Sequence, residues 1–110
     1  MDPLEQSALN DALNQMWSRF LPQMRERMAL LLEAAEAYAG GTLTSVQQKA
    51  AHDAAHKLSG VLGSFGLANG TVLARELETI FECMESQDSD LAERLKTMTD
   101  ELNTLIENRK

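Results

Sequence analysis

His56 is the residue whose type and surroundings could do chemistry. It lies in the stretch Ala51-His52-Asp53-Ala54-Ala55-His56-Lys57-Leu58-Ser59-Gly60-Val61-Leu62-Gly63-Ser64-Phe65-Gly66. There Ala51, Ala54, Ala55, Leu58, Val61, Leu62 and Phe65 recur at helical spacing and form one apolar stripe. At about 100° per residue, His56 points roughly 160° from the middle of that stripe, toward solvent. Gly60 and Gly63, one and two turns on, share the outward side. A glycine inside a helix costs about 1 kcal/mol relative to alanine, and on an exposed face it gains nothing in packing. Its physical use there is clearance for a molecule approaching His56. A reachable neutral imidazole can attack an activated phosphoryl group, and an unperturbed one, titrating near about pH 6.5, is substantially neutral at pH 7.

Phosphoryl transfer depends on alignment and charge compensation more than on covalent help from the protein. A domain that only carries the group therefore needs no pocket of its own. It needs an exposed histidine on a rigid element, and a partner can bring the metal and the acidic residues. His52-Asp53-Ala54-Ala55-His56 is also similar in spacing to the H-E-x-x-H zinc helix. The shorter Asp53 stands where the glutamate would be, however, and no third histidine follows, whereas a catalytic zinc wants three protein ligands. No metal site is expected in this chain. His52 reads as a rim residue one turn from His56.

The elements that must position this ring are helical, and five segments can be read with no convincing strand. The first covers about 4–19, with Leu9, Leu13, Met16, Trp17 and Phe20 on one side. Pro22 suits the first turn of a second helix, which carries Met24, Met28, Leu31, Leu32, Ala35 and Tyr38 and ends at Gly40-Gly41. Thr44 and Gln47 form a capping box for a third helix that reaches about Ser64, holds His56 and stops at Gly66. A fourth starts near 67–71 and carries Leu73, Leu77, Ile80, Phe81 and Met84. Ser86-Gln87-Asp88-Ser89 reads as a turn. Asp90 with Glu93 could cap a fifth helix carrying Leu91, Leu95, Met98, Leu102, Leu105 and Ile106, with Arg109 and Lys110 at its C-terminal end, as the helix dipole prefers. Four long amphipathic helices with short connections bury their stripes most economically as an antiparallel up-down-up-down four-helix bundle. The expected fold is thus all-α, one domain over 1–110, with 1–21 as an extra N-terminal helix packed at one end and 22–108 as the bundle.

Composition narrows the partners. The chain has 110 residues and a formal net charge of −7, with 44% apolar residues, enough for one core without a disulfide network. So acidic a domain is a poor match for nucleic acid or an anionic membrane surface, both of which need clustered Lys and Arg. The single cysteine, Cys83, rules out an intrachain disulfide and reads as a small buried hydrophobe. Met24, Met28, Met84 and Met98 fall on core stripes, and Trp17 reads as the anchor of the first helix. Glu33, Glu36, Glu82, Glu85, Glu93 and Glu101 read as a solvated surface, and nothing in the chain suits ATP. Without a membrane span or signal peptide to read, a cytoplasmic monomer is expected.

The segment His56-Lys57-Leu58-Ser59-Gly60-Val61-Leu62-Gly63-Ser64-Phe65-Gly66 resembles the signature of histidine-containing phosphotransfer (HPt) domains, with His56, Leu58, Gly60, Phe65 and Gly66 at the matching positions. Leu73-Ala74-Arg75-Glu76-Leu77-Glu78 resembles the helix that follows in that family. The resemblance implies a phosphorelay carrier, without autokinase activity, in which His56 accepts a phosphoryl group from a receiver-domain aspartate and passes it to another. The implied partners are response-regulator receiver domains and a hybrid histidine kinase. No cofactor is expected on this chain, and Mg²⁺ is expected on the receiver. Many members carry a lysine where Ser59 stands, so Lys57 by charge, Ser59 by a hydroxyl or His52 could attend the phosphoryl group. Val46 and Lys49 would flank the docking face, with Gly60 and Gly63 giving clearance. The rival reading is a helical interaction module or a kinase dimerisation pair. A kinase phospho-acceptor helix usually has an acidic residue directly after the histidine, where Lys57 stands here.

Overall fold

The computed structural model describes residues 2–84 and 88–109, and within them the chain forms four helices and no strand. Helix α1 spans Pro3–Ala39, α2 Ser45–Leu62, α3 Ala68–Cys83 and α4 Ser89–Glu107, with a short 3₁₀ turn at Gly63–Phe65 after α2. Each helix packs on its chain neighbours, and α4 closes the ring onto α1, with α2 and α3 in the most extensive contact. This is the all-α antiparallel bundle that the stripes require. The core runs through Met24, Met28, Leu31, Leu58, Leu62, Leu77, Phe81, Leu95, Leu102 and Ile106, each nearly or wholly excluded from water. Met1, Glu85, Ser86, Gln87 and Lys110 lie outside the described residues, and with them most of the turn expected at 86–89 and the last C-terminal charge.

One boundary is corrected. The extra N-terminal helix and the first bundle helix are a single 37-residue helix that runs through Pro22. The apolar stripe explains why. Trp17, Leu21, Met24, Met28 and Leu31 continue in phase across the proline and belong to the core or pack against it. Burying each such side chain stabilises by about 1.5–3 kcal/mol, which together exceeds the roughly 3 kcal/mol cost of an interior proline. Pro22 itself is exposed, so the Ser18 carbonyl left without its donor lies toward water. The proline that does occupy a first turn is Pro3, behind Asp2, whose carboxylate accepts from the Glu5 amide at 2.8 Å.

The start of α1 does not lie across the bundle. Leu4 is 83% exposed, and Leu9, Met16 and Phe20 remain partly in solvent rather than buried in the core. Contact with the bundle end begins at Asn14, whose Oδ1 accepts from Arg109 at 3.2 Å, and is anchored by Trp17, whose ring meets Phe65 edge-on at 5.1 Å. The Arg109 guanidinium lies 4.9 Å over Trp17 and 5.4 Å over Phe65, and donates to the Phe65 carbonyl at 2.9 Å. Exposed Arg25 and Glu107 add a two-pronged link between α1 and α4 at 2.8 and 2.9 Å. It holds the Glu107 carboxyl below the usual carboxylate range, mainly through the side-chain hydrogen bond.

Local signals set the remaining ends. The Thr44 hydroxyl accepts from the Gln47 amide at 3.1 Å, and the Gln47 side chain accepts from the Thr44 amide at 3.0 Å. Gly66, at φ 79°, ends the 3₁₀ turn in the left-handed region that glycine tolerates best. Asp88, not Asp90, caps α4, accepting from the Asp90 and Leu91 amides. Cys83 is exposed rather than buried. It is the last residue of α3, and Phe81 two positions earlier takes the inward side.

Candidate phosphoryl-accepting site

The stripe that buries α2 fixes where its other residues go. With Ala51, Ala54, Ala55, Leu58 and Leu62 inside, His56 emerges on the outer face with 70% of its side chain exposed. It stands near the seam with α3, where antiparallel packing sets residue against residue. Gln48 donates to the Phe81 carbonyl at 2.6 Å, His52 faces Glu82 at 3.9 Å, and His56 faces Glu78 at 2.8 Å. Thr71 lies opposite Gly63 in the same register.

The His56–Glu78 contact determines what the ring can do. Glu78 Oε1 lies 2.8 Å from His56 Nδ1. An ionised carboxylate only accepts hydrogen bonds, so Nδ1 is the nitrogen that carries the hydrogen. In the neutral ring the lone pair is then on Nε2, the other nitrogen. Glu78 is only 23% exposed, which makes its carboxylate the more fixed member of the pair. With the carboxylate ionised, this contact favours one tautomer and leaves Nε2 as the unprotonated nitrogen, on a helix whose inner face is fully packed. Glu78 appeared in the sequence only within a matched segment and carried no role. The signal was the α3 stripe of Thr71, Arg75, Glu78 and Glu82, which an antiparallel α2–α3 hairpin must turn toward α2.

The other candidate residues fall around His56 unequally. Ser59 is half-buried, and its hydroxyl donates to the His56 carbonyl at 2.7 Å, along its own helix rather than beside the ring. Lys57 is exposed and lies about 100° round the helix from His56, on the flank away from α3. His52 is one turn back, its Nδ1 3.2 Å from Asp53 Oδ1. It lines a shallow groove of about 310 Å³ with Ser45, Gln48, Lys49, Phe81 and Glu82. Val46 is 77% exposed. The two glycines differ. A Cβ on Gly60 would meet nothing within 4 Å, whereas one on Gly63 would stand 3.4 Å from Thr71 Oγ1. Gly60 thus leaves open space beside His56, and Gly63 lies over the seam.

No groups of three or more His, Cys, Asp or Glu able to hold a metal ion occur among the described residues. A second groove, about 640 Å³, runs between α1 and α4 along Leu32, Ala35, Ala39, Ala92 and Thr99 and has no residue of α2 in its wall. His56 lines neither groove, and its largely exposed ring stands out from a convex part of the surface. No helix of the described residues is long and apolar enough to cross a membrane.

Comparison with known proteins agrees with this geometry. A family profile described as "Hpt domain" matches residues 15–108. Protein RcaC of Microchaete diplosiphon is 36% identical over 95 residues, covering 86% of this chain and 15% of that protein. The chain thus spans a small part of the relative it matches. No solved structure matches it significantly.

Proposed function

The chain belongs to the Hpt domain family, the histidine phosphotransfer domains of phosphorelays, and on that premise we propose that His56 is its phosphoryl acceptor. The observation that carries the reading is the exposed ring held through Nδ1 by Glu78, with Nε2 outward. The donor is the aspartyl phosphate of a response-regulator receiver domain, itself charged by a hybrid histidine kinase. The Nε2 lone pair forms the N–P bond while the bond from phosphorus to the aspartate oxygen breaks, and that electron pair leaves on the carboxylate. The Nδ1 hydrogen stays where it is. The ring becomes cationic as the bond forms, and the Glu78 carboxylate offsets that charge as it develops. The reverse step hands the group to a second aspartate.

The rest of the machinery belongs to the partner. Receiver-bound Mg²⁺ neutralises the transferring oxygens, and this chain has no autokinase activity and acts as a cytoplasmic monomer. Docking uses the face of His52, His56, Ser59, Gly60 and Gly63, with Val46 and Lys49 at its edge. Helices packed on one another keep the nucleophile fixed, while Gly60 leaves room for the receiver to close around it.

Incubation with a phosphorylated receiver and Mg²⁺ is expected to label the chain with acid-labile, base-stable phosphate. His56→Gln is expected to abolish the label. Label that persists in His56→Gln places the acceptor elsewhere, and a chain that binds receivers without ever acquiring phosphate is an interaction module.

A further inference from the structure

A phosphoryl group on His56 Nε2 would bring two negative charges into an acidic neighbourhood. Asp53 and Glu78 lie close by, and Glu82 faces His52 one turn away. Among the described residues the resting ring has no cationic hydrogen-bond partner, the one it has being the Glu78 carboxylate. A dianion so placed needs a nearby positive charge, and three side chains on α2 and α3 are candidates.

Lys49 shares the His56 face but sits two turns away, about 10 Å along the axis. Lys57 is adjacent in sequence but projects toward the opposite flank. Arg75 of α3 lies one turn from Glu78. Because the helices are antiparallel, and the pairs His52–Glu82, His56–Glu78 and Gly63–Thr71 fix the register, Arg75 stands level with Ser59. That is the turn after His56, on the side where Gly60 leaves space open. Ser59 is short and its hydroxyl is turned onto its own helix, so nothing long on α2 occupies the gap.

The electrostatic setting of Arg75 sharpens the case. Arg25 is paired with Glu107, Arg94 faces Glu76, and Arg109 is spent on Phe65 and Asn14. The exposed Arg75 guanidinium has no hydrogen-bonding or ion-pair partner among the described residues, although Glu78 is only three positions along its helix. Glu78 is committed to the imidazole instead. We propose that Arg75 is the phosphoryl-positioning residue of this site: its guanidinium swings across the α2–α3 seam to the phosphoryl oxygens once His56 is modified. A planar guanidinium suits two oxygens of one phosphoryl group at once. The inference rests on His56 being the acceptor. In it Glu78 serves the cationic ring and Arg75 the anionic phosphoryl group, from successive turns of one helix.

The test needs no receiver. Phosphoramidate, a small donor, is used to phosphorylate the whole chain, and the Arg75 Nε–H resonance and the phosphorus resonance are followed by NMR. In the unsubstituted chain the Arg75 Nε–H signal is expected to move on phosphorylation, and in His56→Gln treated identically it is not. Hydrolysis of the phosphoprotein gives the second readout. A cation beside the phosphoryl group disfavours protonation of the ring, the form that departs most easily. Other charged or titratable groups on this face are Lys49, His52, Asp53 and Lys57 of α2 and Glu78 and Glu82 of α3, all unchanged in the comparison. Arg75→Met is expected to lose phosphate about three- to tenfold faster at pH 7, with the acid limb of the pH–rate profile moved up by roughly half to one unit. Arg75→Lys is expected to stay within about twofold of the parent. An unmoved Arg75 signal, or an Arg75→Met profile that overlays the parent, overturns the assignment while leaving His56 as acceptor. Absence of any phosphohistidine resonance in the unsubstituted chain overturns both.

Discussion

At the α2–α3 seam a carboxylate holds one ring outward, and at the end of the bundle a guanidinium holds two rings inward. Glu78 takes a single hydrogen bond from His56 and leaves most of that side chain in water. Arg109 covers Trp17 and Phe65, donates to the Phe65 carbonyl and reaches Asn14 Oδ1 at 3.2 Å, and Trp17 is left 4% exposed. Both arrangements put a charge against a ring near the margin of the core, but they draw on different physics. The bundle end gains from apolar area removed from water and from the attraction of a cation to aromatic faces. The seam gains little from burial and instead fixes which nitrogen of an imidazole is available. Stability and the proposed reactivity are thus housed on different elements, the first on α1, the 3₁₀ turn and the residues after α4, the second on α2 and α3, and substitutions should separate them.

The largest effect is expected at the bundle end. Trp17→Ala should destabilise the fold by about 3–5 kcal/mol, as for other buried aromatics cut to alanine, read as a lower midpoint in urea. Phosphate uptake by His56, measured well below the new midpoint, should not change. If uptake falls in proportion to stability lost, the two regions are not independent.

At the seam the signs reverse. Glu78→Ala should leave the unfolding midpoint nearly unchanged and slow phosphoryl transfer about tenfold, or about 1.4 kcal/mol of barrier. Imidazole nitrogen shifts should show His56 in one neutral tautomer in the parent and a mixture in the variant. Glu78→Gln keeps an acceptor and removes the charge, so an intermediate rate would apportion the effect between orientation and electrostatics. A single tautomer in Glu78→Ala would mean that the carboxylate does not select it.

Gly60 gives a smaller effect with a built-in control. Gly60→Ala places a methyl where nothing lies within 4 Å, so it should stabilise α2 by up to about 1 kcal/mol and leave transfer intact. Gly60→Leu should also keep or raise stability, yet slow transfer by filling the receiver's approach. Equal rates for Leu and Ala would remove clearance as the reason for the glycine.

The smallest effect belongs to Arg25 and Glu107. Their side-chain hydrogen bond raises the one group and lowers the other relative to their ordinary values. A carboxyl depressed in the folded state contributes stability above its unfolded titration point, and that contribution is lost as pH falls through the folded one. Glu107→Gln should therefore be slightly less stable than the parent at neutral pH, and the gap should close in acid and in high salt. A gap that persists in acid would assign the effect to packing.

How much of this the sequence revealed follows from the range of the interactions. The outward direction of His56, the Thr44–Gln47 cap, the stop at Gly66 and the bundle architecture depend on periodicity within one helix or on a few adjacent residues, and all could be read. The continuity of α1 could not be read from Pro22 alone, because a proline favours a break locally. Only the unbroken phase from Trp17 to Leu31 shows that burial wins. Glu78 and Arg109 were missed because their partners come from other helices, at His56 and at Trp17 with Phe65. Pairing of that kind becomes visible only once the register between helices is known. Cys83 was misplaced for a simpler reason: it was read by residue type, whereas it lies about 200° round the helix from buried Phe81, so the stripe itself turns it outward.

The convex placement of His56 has a kinetic corollary. A single protruding nitrogen without a flanking chamber admits one visitor at a time, so any two proteins that exchange phosphate through it must take turns. An excess of the discharged donor should then act as a competitive inhibitor of delivery, and throughput should peak at an intermediate ratio of the two rather than rise with either alone.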